Sequence, residues 1–89
     1  MTTKKARKLE DENAEIKARK LGPSWQETKL FISMIECGTI SHFEIGCGDY
    51  EVARIYTDLF NEYNTSSRVR AILVSYGIGK NSVRIEKRS

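Results

Sequence analysis

The firmest hydrophobic pattern in the chain lies in DYEVARIYTDLFNEY, residues 49–63. Val52, Ile55, Tyr56, Leu59, Phe60 and Tyr63 recur at i, i+3, i+4 and i+7, the spacing that lines one face of an α-helix. Glu51, Arg54, Asp58 and Glu62 take the other side. Asp49 suits the N-cap position, and Asn64-Thr65-Ser66-Ser67 breaks the pattern.

Elsewhere the alternation has period two. TISHFEIGC (39–47) sets Ser41, Phe43, Ile45 and Cys47 against Ile40, His42 and Glu44, as a half-buried strand does. RVRAILVSY (68–76) sets Val69, Ala71 and Leu73 against Arg70, Ile72, Val74 and Tyr76. After GIGKN, SVRIEKR alternates Val83 and Ile85 against Arg84, Glu86 and Arg88. This predicts a hairpin over 68–88. A helix over 66–76 stopped by Gly77 competes with its first strand, and the strand is preferred.

SWQETKLFISMIEC (24–37) carries two signals. Ser24 with Glu27 three residues on is a capping box for a helix, while the density of Phe and Ile favours a strand. With Gly38 separating it from the next alternating run, the preferred expectation is a hairpin. Its strands would lie near 28–36 and 40–47 and turn at Cys37-Gly38-Thr39. Residues 3–20 are rich in helix formers. Ala6, Leu9, Asn13 and Ile16 follow a/d spacing there, over only about two heptads, before Gly22-Pro23 ends the run. The sum is an α+β chain. A basic helical arm (1–22) precedes a single small ββαββ domain (23–89), in which one amphipathic helix covers a mainly antiparallel four-stranded sheet. Trp25 is expected where the arm meets the domain.

Composition narrows the setting. The 89 residues are 39% hydrophobic and 30% charged, ordinary for a soluble globular domain. No apolar run approaches the about 18 residues of a membrane span, and the start MTTKKARKLEDENAEIKARK offers no apolar leader. With only two cysteines, the expectation is a cytoplasmic protein with free thiols. Charge is segregated: residues 1–22 carry net +3, 23–62 net −5 and 63–89 net +5. Such a distribution bears on partners rather than on fold.

The chemical motifs are incomplete. Cys37-x4-His42-x4-Cys47 is similar to the last three ligands of a zinc knuckle, but Met34 stands where the first cysteine belongs, and a structural zinc site needs four good ligands. YGIGKNS departs from a phosphate-binding loop at Val74 and Asn81, so Gly77 and Gly79 are expected to serve a turn. Cys47 precedes a helix N-terminus, a position that lowers a thiol pKa, but Asp49 and Glu51 oppose that effect. No nucleophile–base–orienter set emerges. No enzymatic activity, metal or cofactor is therefore expected.

The basic residues carry the leading expectation. Arg68, Arg70, Lys80, Arg84 and Arg88 with Tyr76 on the C-terminal hairpin, and Lys4, Lys5, Arg7 and Lys8 on the arm, suit phosphate contacts and base stacking. The expected function is non-enzymatic nucleic-acid binding. The alternative is a protein-binding inhibitor of a nucleic-acid-handling protein. It would use Asp49, Tyr50, Glu51, Asp58 and Glu62, acidic side chains and an aromatic anchor fitted to a basic surface. In size, lack of motifs and mixed charge the chain resembles small phage-encoded inhibitors of host nucleic-acid enzymes, such as anti-CRISPR proteins. A third reading is a homodimeric regulator zipped through Leu9, Asn13 and Ile16 of the arm.

Overall fold

In the structure, a computed structural model that describes residues 12–88, residues 12–20 form helix α1. The chain continues through α2 (Trp25–Glu36), β1 (His42–Gly48), α3 (Tyr50–Tyr63), β2 (Val69–Ser75) and β3 (Asn81–Lys87). The result is an α+β domain with a three-stranded antiparallel sheet in the order β1-β3-β2. β1 and β2 each run antiparallel to β3, so they are parallel to each other and separated by it. α3 carries the chain from one outer strand to the other, a split β-α-β arrangement.

The expected strand at 28–36 is corrected to a helix, and the sheet has three strands rather than four. The local capping signal prevails. Ser24 Oγ accepts from Glu27 N at 3.2 Å, and Ser24 O accepts from Thr28 N at 2.8 Å and from Thr28 Oγ1 at 2.9 Å. Thr28, Ile32 and Ile35 are the buried residues of α2, at i, i+4 and i+7. Phe and Ile each weaken a helix by at most about 0.7 kcal/mol relative to alanine. Burying a full Ile side chain returns about 1.5–3 kcal/mol, so packing decides the segment. Cys37-Gly38-Thr39 ends the helix rather than turning a hairpin: Gly38 N donates to Ile35 O and Thr39 N to Met34 O.

The other elements follow their patterns. α3 buries Val52, Ala53, Tyr56, Leu59 and Phe60. Asp49 occupies its N-cap, although its side chain makes no capping hydrogen bond. The strand reading of 68–76 holds, and β2 pairs with β3 from Val69↔Lys87 to Ser75↔Asn81. Val69, Val83, Ile85 and Ile45 point inward with the helices into one core, joined by Ile32, Ile35, Tyr56 and Phe60. α1 contributes Ala14 and Ala18 to that core, whereas Asn13 and Ile16 of the a/d stripe are exposed. Lys4, Lys5, Ala6, Arg7, Lys8 and Leu9 lie outside the described residues. Trp25 stacks on Tyr56 and Tyr63, with ring centroids 5.7 and 4.4 Å away.

Two glycines are demanded by geometry. Gly22, between α1 and α2, has φ +68°, and a Cβ there would come within 3.0 Å of Ile45 Cδ1. Gly48, at φ +72°, lies at an irregularity in the β1–β3 register, where Asn81 Nδ2 donates to Gly48 O at 2.8 Å.

Candidate nucleic-acid interface

The helices pack against one face of the sheet. The register assigns to the other face His42, Glu44 and Gly46 of β1, Ser82, Arg84 and Glu86 of β3, and Arg70, Ile72 and Val74 of β2. None of these residues is fully buried. Continuing the ladder, Arg68 and Arg88 stand opposite each other just past the strand ends, with Arg88 N donating to Arg68 O at 2.6 Å. The hairpin arginines expected to bind nucleic acid, Arg68, Arg70, Arg84 and Arg88, thus share one open face.

Acidic neighbours divide them into two groups. Arg84 lies opposite Glu44, its Nε 3.5 Å from Glu44 Oε1. That is ion-pair range but not hydrogen-bonding geometry, and the Nε has no hydrogen-bond partner among the described residues. Tyr76 Oη donates to Glu44 Oε1 at 2.7 Å and accepts from Arg84 Nη2 at 3.4 Å. The Tyr76 hydrogen bond, reinforced by the Glu44 and Glu86 charges, holds the Arg84 pKa above its ordinary value. Because this hydroxyl reaches from beyond β2 across β3 to β1, the Tyr76 ring lies over the sheet, and the residue is exposed. Arg70 sits 3.9 Å from Glu86. Arg68 and Arg88, by contrast, form no ion pair with any described residue, and neither does the adjacent exposed Lys87. Like charges placed directly opposite on a sheet repel, so this end of the face is a standing concentration of positive charge. Lys80 lies at the other end, in the hairpin turn, where its N donates to Gly77 O at 3.0 Å.

The residues of the alternative reading lie on α3 or at its start. Asp49, Tyr50, Glu51, Asp58 and Glu62 are all exposed. Arg54 partly neutralises the group, 3.0 Å from Glu51 and 3.6 Å from Asp58. α3 covers the inner side of the sheet, so the acidic surface and the arginine face lie on opposite sides of the domain.

The zinc-knuckle spacing does not gather its residues. Cys37 caps α2, His42 opens β1 and Cys47 lies near the far end of that strand. Five residues of extended chain separate His42 from Cys47 by about 16 Å. His42 Nδ1 is instead 2.9 Å from Ser41 Oγ. Among the described residues, no three or more His, Cys, Asp or Glu side chains are grouped to hold a metal ion. Burial pushes the Cys47 thiol pKa up, against a lowering contribution from the Val83 backbone. No described helix is long and apolar enough to cross a membrane.

Sequence reasoning missed the roles of Glu44 and Glu86. Both were visible on the alternating pattern, but with 28–36 assigned as a strand, β1 had no reason to lie against β3. Lys87 was missed because it falls on the inward-pointing alternation, and only its place at the strand end exposes it. Comparison with protein-family models, with curated proteins and with solved structures finds no match.

Proposed function

We propose that the protein is a small non-enzymatic nucleic-acid-binding protein that lays a strand across the open face of its sheet. One observation carries the reading: Arg68 and Arg88 face each other at the end of that face with no acidic partner among the described residues. A phosphate between them would relieve their repulsion. Arg70, held by Glu86 only at 3.9 Å, and Lys87 extend the track. At the far end the exposed Tyr76 ring offers a stacking surface for a base. Residues 68 to 76 span about 26 Å of extended chain, room for a few nucleotides of single strand.

The test is binding of labelled single- and double-stranded DNA and RNA at about 50 and 200 mM salt. Three phosphate contacts on duplex predict about a 40-fold loss of affinity over that range, and somewhat less on a single strand. Arg68→Ala with Arg88→Ala, which removes the phosphate shared between them, should reduce the salt slope by about one. Absence of binding at low salt, or an unchanged slope in the double variant, refutes the reading.

The second reading, a protein-binding inhibitor, is favoured by the cluster of exposed acidic side chains on α3 beside exposed Tyr50. It predicts that Asp58→Lys with Glu62→Lys abolishes capture of a basic protein target while leaving nucleic-acid binding intact.

A further inference from the structure

The two outer strands of the sheet end differently. The β1 edge is interrupted: its register shifts between Gly46 and Gly48, and Glu44 and His42 lie along it. Glycines, a bulge and charge are devices that discourage a further strand from joining. β2 has none of these in its second half. Ala71-Ile72-Leu73-Val74-Ser75 is uncharged, contains neither Gly nor Pro and pairs with β3 without a bulge.

The direction of its free backbone groups follows from the ladder. Tyr76 N donates to Lys80 O at 2.8 Å, and Arg88 N to Arg68 O at 2.6 Å. Antiparallel pairing alternates, so Arg70, Ile72 and Val74 turn their N–H and C=O groups toward β3. Val69, Ala71, Leu73 and Ser75 turn theirs outward. Val69 O is taken by Asn64 Nδ2 at 3.0 Å, which agrees with that assignment. The outward groups of Ala71, Leu73 and Ser75 have no backbone partner among the described residues. What satisfies such a row is another extended strand.

We propose that this edge is the seam of a twofold homodimer, in which β2 of one copy pairs antiparallel with β2 of the other about an axis at Leu73. The sequence is self-complementary in that register. Ala71 meets Ser75 of the second copy, Leu73 meets Leu73, and Ser75 meets Ala71, which uses the outward N–H and C=O groups of all three residues and avoids the position blocked by Asn64. On the open face Ile72 lies beside Val74, and position 70 opposite position 76, where Arg70 and Tyr76 each lean inward over their own sheet toward Glu86 and Glu44. No like charges are opposed. The result is one six-stranded sheet, with the arginine faces of both copies on the same side. This dimer does not depend on nucleic-acid binding and does not use the arm.

The test is sedimentation equilibrium of the full chain over about 1 µM to 1 mM. Two double variants accompany it, Ile72→Lys/Val74→Lys and Ile72→Glu/Val74→Glu, each checked by circular dichroism. Both substituted positions face the open side and keep their backbone bonds to β3. The wild type should show a reversible monomer–dimer equilibrium, and each variant alone should dimerise at least about tenfold more weakly. An equimolar mixture of the two should recover the dimer through opposite charges. Ser75→Pro, which removes one outward N–H, should weaken the dimer with the fold intact. A wild type that stays monomeric throughout overturns the proposal. So does a dimer indifferent to these variants, which would place the contact elsewhere, as in the arm, and so does a folded pair that fails to recombine.

Discussion

Tyr56 presents the sharpest test of the core. It is 0% exposed, stacks on Trp25, and its hydroxyl has no hydrogen-bond partner in the described structure. Burial pushes its pKa up to about 12; the nearby Cys47 adds to the shift and Thr28 opposes it. Thr28 Oγ1, however, donates its own proton to Ser24 O at 2.9 Å and is not in bonding geometry with the phenol. A buried, unpartnered hydroxyl costs about 1–3 kcal/mol. Tyr56→Phe removes that cost and leaves a void of one oxygen, worth about half a kcal/mol at the usual cavity coefficient. The variant should therefore be more stable by about 1 kcal/mol, with a Tm higher by about 4–8 °C for a domain of this size. The alkaline limb supplies a second readout. In the unfolded chain the phenol ionises at about 10, and in the native state at about 12. The stability tied to the neutral phenol is whole below about pH 10 and is lost as pH rises through about 12, an upper bound of about 2–3 kcal/mol. Urea unfolding of both proteins at pH 7 and through pH 9–11 measures both effects, and the variant should have the shallower alkaline decline. A Tyr56→Phe protein destabilised by about 1 kcal/mol or more would show that the hydroxyl holds a hydrogen bond and would refute the reasoning.

Two further substitutions probe contacts that fix β1, one with the α1–α2 connection and one with β3. Gly22→Ala forces a side chain into φ +68° and 3.0 Å from Ile45 Cδ1; about 1–2 kcal/mol should be lost in urea unfolding. In an Ile45→Val background the collision disappears and the penalty should shrink toward backbone strain alone. Asn81→Ala removes the 2.8 Å hydrogen bond to Gly48 O from a residue only 6% exposed, and thermal unfolding should report a loss of about 1–2 kcal/mol.

Much of the fold was legible where one face of an element is wet and the other dry. The 3.6-residue period of α3 and the strict alternation of β2 and β3 both arise that way, and both were placed correctly. The error at 28–36 has a specific cause: strand preference of Phe31, Ile32 and Ile35 was weighed above a three-residue cap. Propensity adds a few tenths of a kcal/mol per residue, whereas the cap and the buried stripe act together. That single error propagated to the site. Without α2 as a helix, β1 had the wrong neighbour, and the Arg84–Glu44–Tyr76 cluster was invisible although each member was named or visible in the pattern. Arg68 and Arg88 were identified as basic, but their opposition depends on the hairpin register, which alternation alone leaves free to slide by two residues.

The central position of β3 also sets the order in which the chain can be completed. β1 and β2 are made first, yet each is bonded only to β3 and never to the other. A nascent chain that has reached the turn at 76–80 holds two strands with a vacant lane between them and no ladder to close. Translation at about 5–20 residues per second thus leaves Ile45, Val69 and Leu73 without their sheet partners until 81–87 emerge. β3 completes both ladders, so the two outer strands depend on the same last-made strand and neither has a strand partner without it.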